Sequence, residues 1–522
     1  MTNRALEPKI PALADIIHEV LSFSGGMNTR SSALYLGKEG KYALKRDEAP
    51  LLINWCRDAS GALSTRPGRV KLNSTAVVPP SGDATIRSLF EITPLTGSPV
   101  IIMNAGNTVY KWNGAAWASL GTVATANKRM HWCQFNDEAI GVDGVNAPVV
   151  TNGTAFGALA GTPSATSIAV LSHRNRVWML DGRTLRYSAL GVKDDWTTAN
   201  NAGTVPIPTT KGKGGTAMFS LWDRIIICTT DNVFQVTGSG PSDFAVEPIN
   251  VAYGHELSPY GMLAAGNDVY FGSSKGAHAM SVSYGQSITG DVSYNYVSAR
   301  IEPTWQAINK TNLANVFGVH DSKRNVMLFL CSRSGANNNE AMVADYYHMD
   351  DQNRPTWSLY ANMPFASGCE VKSLNSETEI LFGGYDGIVY RQTNDPKDVD
   401  ANIDLQLQYV TDGEVPTMDK LWRYMTVFLN TTGAIVSGTV SYDFNTSIKT
   451  FSQTFQTDVG GLIGTTFVMG HTALGTSSYK QKKIPIAGIG RFAVLNITIS
   501  SSVKVSFGGM IFYAGIRRAI HG

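Results

Sequence analysis

The feature that most constrains this chain is a spacing. From about residue 85 to about residue 395 one theme recurs: an apolar strand, a polar turn, a second strand, then Gly, Asp or Asn before an aromatic-rich strand. It is read in Val100–Trp112, His131–Asn152, Ile168–Tyr187, Met218–Val236, Met262–Met280, Val319–Tyr346 and Leu374–Tyr390. The polar turns near Gly97, Asn136, Asn175, Asp223, Asn267, Arg324 and Asn375 are separated by 39, 39, 48, 44, 57 and 51 residues. Short strands repeating every roughly 40–50 residues match the blades of a β-propeller. Each small sheet then buries both faces against its neighbours, and closing the ring protects most strand edges. We expect about seven irregular blades, the uneven spacing allowing roughly six to eight.

Composition points the same way. Hydrophobic residues make up 43% of the 522 and charged residues only 16%, with 51 glycines, which suits short strands and tight turns better than charged amphipathic helices. The chain reads as all-β.

The two ends depart from the repeat. Residues 1–75 lack alternation, carry Gly25-Gly26 and Gly37, and finish in Arg66-Pro67-Gly68. They read as an extended N-terminal arm, with 76–398 as the propeller. Glycine gives the arm freedom for a sharp bend and Pro67 fixes one. An arm cannot bury its own Leu34, Leu36, Leu51, Leu52, Ile53 and Trp55, so the propeller or a neighbouring subunit would have to cover them. After Asp395-Pro396 the strands lengthen and alternate, in Ile403–Tyr409, Trp422–Leu429, Ala434–Tyr442, Phe492–Ile499 and Val503–Tyr513. This predicts a separate sandwich-like β domain over 399–522, with a Gly/Thr/Ser-rich loop at 460–478.

Five widely spaced cysteines resemble buried free thiols more than a disulfide frame, which predicts synthesis in a reducing compartment. Glu7, Pro8, Pro11, Asp15 and Glu19 stand where a secretory signal needs an apolar core, and no stretch reaches a membrane span.

Several strings invite chemical readings and lack the context that chemistry needs. Gly272-Ser273-Ser274-Lys275-Gly276 matches a nucleophile elbow, but the elbow joins a strand to a helix and Ala277–Tyr284 reads as a strand. Lys211-Gly212-Lys213-Gly214-Gly215-Thr216 lacks phosphate-loop spacing and reads as a basic loop between blades. Asp345, His348, Asp350 and Asp351 lack the glycine and bidentate acid of a calcium loop. The histidines show no zinc spacing, and His131 beside Trp132 suits packing. The tryptophans at strand ends suit wedges between blades. No catalytic residue, cofactor or metal is expected.

Formal net charge is +2, so the whole surface cannot serve as the footprint of a general nucleic-acid binder. The end of the chain is locally basic: Val459 to Gly522 holds no Asp or Glu, yet carries Lys480, Lys482, Lys483, Arg491, Lys504, Arg517 and Arg518.

Phe23–Arg30 (FSGGMNTR), Glu48–Asn54 (EAPLLIN), Asp58 and Gly61–Gly68 (GALSTRPG) resemble the start of phage virion proteins that pair an arm with a propeller. The motif residues are Phe23, Gly25, Gly26, Asn28, Arg30, Asn54, Asp58, Gly61, Arg66, Pro67 and Gly68. The order that follows, Arg129–Gly153, Ile168–Asp181, Met218–Gly238 and Leu405–Gly433, is similar to the tail nozzle, or packaged-DNA stabilisation, proteins of short-tailed bacteriophages. The resemblance spans nearly the whole chain as pattern and order, and this sequence departs from it in its longer arm.

The resemblance implies a structural virion protein rather than an enzyme. It would form a homo-oligomeric ring of six at the distal end of the tail, made in the bacterial host cytoplasm. Its partners would be an adaptor ring, tail fibres, a spike or needle, and viral DNA retained and then ejected without sequence-specific binding. The motif residues become candidate contacts. Lys211, Lys213, Lys480, Lys482, Lys483, Arg517 and Arg518 become candidates for DNA or subunit interfaces. A conduit that held phosphates tightly would slow the genome, which favours interface or rim for them. The alternatives are a propeller-type capsule-degrading glycosidase, which needs paired carboxylates, and a receptor-binding adhesin.

Overall fold

The blades begin with their turns. Ala169–His173 and Arg176–Asp181 are joined by a two-residue turn in which both Arg174 (φ 48°) and Asn175 (φ 57°) are left-handed. That turn type matches the twist of paired strands. Asn136 (φ 53°) and Asn325 (φ 56°) occupy the same region in other turns, a conformation asparagine tolerates better than most residues. The polar turns read near Gly97, Asn136, Asn175, Asp223 and Arg324 are thus hairpin connections, while Asn267 and Asn375 lie outside the described residues.

The computed structural model describes residues 15–20, 22–31, 44–58, 61–161, 163–209, 213–221, 223–249, 253–266, 268–283, 291–350, 353–372, 374, 377–412, 418–431, 433–443, 448–455 and 480–516. It divides into two units, Arg69–Thr393 and Met1–Gly68 with Asn394–Gly522.

The unit Arg69–Thr393 is a β-propeller. Among the described residues its strands group into seven blades of four, five of them four-stranded sheets in their own right, each built from strands that follow one another along the chain except at the closure. Their first strands are Ile86–Ile92, His131–Phe135, Ala169–His173, Gly215–Leu221, Leu263–Ala265, Phe317–Asp321 and Phe365–Val371. Blades one to seven are numbered in that order. The first strand of blade seven lies beside that of blade one, and the Ser367 hydroxyl donates to the Ile86 carbonyl at 2.6 Å, so the ring closes.

Packing between blades supplies the core. Trp178, Leu180 and Leu185 of blade three pack with Ile225, Ile227 and Phe234 of blade four. Ile86 and Met103 of blade one pack with Val371, Leu381 and Val389 of blade seven. Fully burying each such side chain stabilises by about 1.5–3 kcal/mol, so neighbouring blades hold one another in place.

Residues 69–75, grouped with the arm on sequence, belong to the propeller. Arg69–Lys71, the part of the strand Gly68–Lys71 within this unit, is the fourth strand of blade seven, beside Val389–Thr393. Leu72 N donates to Val389 O at 2.8 Å, and the Asn73 carboxamide accepts from Val389 N at 2.8 Å. A strand from one end of the unit completing a sheet from the other removes an open edge.

The second unit is a sandwich of two antiparallel sheets. One contains Asp15–Val20, Trp55–Arg57, Leu63–Thr65, Lys420–Asn430, Lys480–Gly490 and Ser506–Ile516. The other contains Leu51–Ile53, Leu405–Thr411, Ile435–Tyr442, Lys449–Thr454 and Ala493–Ser500. Tyr409 stacks on Phe512 (centroids 6.0 Å apart) and accepts or donates a hydrogen bond with His18 at 3.0 Å, tying one sheet to the other.

The N-terminal segment is therefore not a free extended arm in its described part. Asp15–Val20 pairs with Ser506–Ile516, and Leu51–Ile53 pairs with Leu405–Thr411. Leu52 and Trp55 are buried, and Trp55 Nε1 donates to Gln406 O at 2.9 Å. Strands of three residues carry no alternation to read, and their register comes from partners hundreds of residues away. Leu34, Leu36, Gly37 and the loop 460–478 lie outside the described residues.

Candidate functional site

The motif residues meet in one node of the sandwich unit. Phe23 is buried, edge-on to Tyr409 at 5.6 Å. The chain bends at Gly26 (φ 72°), whose N–H donates to Phe23 O at 2.9 Å. A Cβ at Gly25 would stand 2.4 Å from Glu48 Cγ, so the two segments approach too closely for any other residue without a shift. Asn28 Nδ2 donates to the buried Glu48 carboxylate at 2.7 Å, while Asn28 Oδ1 accepts from Arg30 N and Ser31 N. Lys45 N donates to the same Glu48 oxygen at 3.0 Å.

A second half of the node is built around Arg66. Its Nη1 and Nη2 reach Asp398 Oδ1 and Oδ2 at 3.0 and 2.6 Å, and the two side chains are 2% and 4% exposed. Such a two-pronged pair is rigid as well as strong. Arg66 Nε donates to Asn54 Oδ1 at 2.9 Å, and Asn54 Nδ2 donates to Asp404 O at 2.8 Å. Asn54 holds a left-handed φ of 63° to do so. Pro67 O accepts from Arg66 Nη1 at 3.0 Å, and Gly68 N donates to Asp395 O at 2.8 Å. A Cβ on Gly68 would lie 2.0 Å from Lys397 O. Asp58 and Gly61 form the turn before Leu63–Thr65, Gly61 N donating to Asp58 O at 2.9 Å.

These residues thus serve one another, and Arg30 is the motif residue with an exposed side chain. Sequence reading missed Arg57, whose guanidinium donates to Phe23 O and Ser24 O at 2.7 and 2.8 Å. It also missed Asp398, and no local pattern marks an acid 332 residues from its arginine.

The described basic candidates of the sandwich unit do not share one face. Lys480, Lys482 and Lys483 lie on one strand, and period two puts Lys483 on the face opposite the other two. Lys483 Nζ sits 3.5 Å from the Tyr424 ring centre, and Arg491 pairs with Asp419 at 3.3 Å. Lys213 is exposed just before blade four. Lys211, Arg517 and Arg518 lie outside the described residues.

The chemical strings take structural positions. Ser273 is buried in the turn between Asp268–Gly272 and Ala277–Ser283, strands on both sides. Asp345 holds His348 Nδ1 at 2.8 Å, and Asp350 pairs with Arg354 and Arg300 at 3.0 and 3.2 Å. Asp351 lies outside the described residues. Among the described residues no group of three His, Cys, Asp or Glu could hold a metal ion. No helix among them is long and apolar enough to cross a membrane.

The propeller axis carries a cluster that sequence reading did not single out. The Arg129 guanidinium, just before blade two, stands 4.0 Å from the Tyr260 ring centre and 5.0 Å from that of Phe317. His131 of blade two lies 5.2 Å from the same Tyr260, which precedes blade five. Blades two and five are not neighbours, so they meet only where all blades converge. His131 Nδ1 accepts from Val170 N at 3.3 Å. Burial, with Arg129 beside it, pulls its pKa down to about 4, so the ring is neutral at pH 7.

No protein-family model and no curated protein matches the chain. Solved structures similar to it include the BBS1N chain in complex with ARL6DN (TM-score 0.39, 13% identity, covering 64% of this chain and 99% of that one). Another is YCF48 bound to D1 peptide (TM-score 0.38, 13% identity, 63% and 98%). A third is the extracellular domain of a putative hybrid two-component system from B. thetaiotaomicron (TM-score 0.32, 12% identity, 68% and 39%).

Proposed function

We propose that this chain is a structural subunit of the tail of a short-tailed bacteriophage, a nozzle protein. Copies of it form a closed ring, six being the number the resemblance implies, that retains the genome and later lets it pass. The observation that carries the reading is the node. The residues that resemble phage virion proteins are scattered over 23–68, yet they meet in one interlocked set that joins the N-terminal segment to the last 129 residues of the sandwich unit, Asn394–Gly522. A motif that builds a scaffold rather than a pocket suits a structural part better than a catalyst.

The axial cluster narrows how such a protein would conduct DNA. Arg129, Tyr260 and Phe317, from beside blades two, five and six, meet at the propeller axis, the guanidinium 4.0 Å from the Tyr260 ring centre, which favours a duplex passing between copies over one passing through a propeller. The basic strand Lys480–Gly490 then belongs at a subunit contact or rim. Adaptor, fibre, spike or needle proteins would meet the exposed loops.

Purified full-length chain examined by analytical ultracentrifugation and negative-stain microscopy should give closed rings, and the chain should be detected in purified virions. A monomer at all concentrations that is absent from virions would sink the proposal.

A further inference from the structure

Arg129 is held in the axis without an acidic partner. Among the described residues its Nε is buried with no hydrogen bond, and the hydroxyl of Tyr260 is buried with none. Among the described residues neither side chain has a hydrogen bond or ion pair, and the guanidinium stands over the rings of Tyr260 and Phe317. Stacking on aromatic faces returns up to about 2 kcal/mol. Burying an uncompensated cation costs more than that unless a partner arrives. Burial pulls the Arg129 pKa down to about 10, which still leaves it charged at pH 7. Arg129, His131 and Tyr260 are each partly accessible, so the cluster is reached by solvent even though these two polar atoms are not.

We propose that the axial cluster of Arg129, Tyr260 and Phe317 is a binding site for a monocarboxylate with a flat apolar body. The aromatic rings cover the face of the guanidinium and leave its N–H edge, which matches a carboxylate in two-pronged geometry. The Phe317 ring offers the apolar wall. Charge sets the class of anion. His131 is neutral, and Arg87 on blade one already holds Asp83 with both terminal nitrogens at 2.5 and 2.7 Å. Arg129 is the cation of the cluster without an ion pair among the described residues, and the Asp143 carboxylate that also acts on Tyr260 offsets part of its field, so a singly charged carboxylate suits the site better than a phosphate dianion.

This inference stands on the propeller alone, so its failure leaves the nozzle reading untouched, and the reverse holds too. The test is calorimetric titration of the full-length chain with benzoate, hippurate, neutral benzamide and inorganic phosphate. Saturable one-site binding of a carboxylate is expected, about tenfold or more tighter than benzamide and phosphate. Tighter hippurate would mark a carboxylate at the end of a peptide unit; tighter benzoate, a free acid. Arg129→Met should weaken binding about tenfold or more while leaving the melting temperature unchanged or raised. No carboxylate binding, equal binding of benzamide, tighter phosphate, or binding retained in Arg129→Met would overturn it. Should Arg129→Met fail to fold, the wild-type comparison of carboxylate with carboxamide decides alone.

Discussion

The two units hold themselves together in opposite ways. The propeller Arg69–Thr393 is a run of local hairpins whose stability comes from repeated apolar wedges between blades, such as Trp178 and Leu180 against Ile225 and Ile227. The sandwich draws its strands from both ends of the chain and locks them with buried polar groups, Arg66 with Asp398 and Asn28 with Glu48. A repeat spreads its stability over many equivalent contacts. A non-local lock concentrates it in a few, so single substitutions should separate the two kinds of unit.

The largest effect is expected at the lock. Asp398→Ala leaves Arg66 buried and uncompensated, which should cost about 3–5 kcal/mol. Hydrogen exchange should place the loss in Leu405–Thr411 and Ser506–Ile516, with the blades unchanged. Replacing both partners, as Arg66→Met with Asp398→Leu, should cost less than the single change. Uniform loss over both units would break the distinction.

Leu180→Ala comes next, at about 2–5 kcal/mol for a fully buried leucine. Leu180 faces blade four, a Cβ on Gly215 falling 2.6 Å from it, so exchange should quicken in blades three and four and leave the sandwich amides slow. Asn28→Ala should cost about 1–3 kcal/mol, because the buried Glu48 carboxylate loses the Asn28 side-chain donor and keeps Lys45 N; urea unfolding of the full chain measures it.

The smallest effect is a pH dependence at the Asp83–Arg87 pair of the propeller unit. Arg87 beside it lowers the Asp83 pKa from 3.8 to about 2. A carboxyl with a depressed folded pKa adds stability that is full above about pH 4 and fades as pH falls through about 2. Asp83→Asn should flatten that part of the stability curve slightly, since the pair is largely solvated. An unchanged slope would show the pair contributes nothing.

The difference between the units also explains what could be read in the sequence. Each of the seven repeated segments falls in its own blade, since a hairpin's turn and both its strands are neighbours in the chain. The turns announced themselves at Asn136 and Asn175, where asparagine takes a left-handed φ. Arg69–Lys71 was assigned to the arm because the sheet it completes begins about 300 residues later. The arm motif was visible at Asn54, Arg66 and Gly68, but Asp398, Asp395 and Asp404, which give those residues their roles, carry no mark of the pairing. Arg129 was illegible for a related reason: nothing in a linear chain says that residues before blades two and five share an axis.

As proposed, this chain is a ring subunit of a phage tail whose DNA passes between copies rather than through a propeller. Cryo-electron microscopy of intact virions, with density traced for this chain, tests it most directly. The prediction is a closed ring at the distal end of the tail, with each propeller axis displaced from the ring axis and occupied by Arg129 and Tyr260. Virions that lack the chain, or DNA density threading a single propeller, would contradict it.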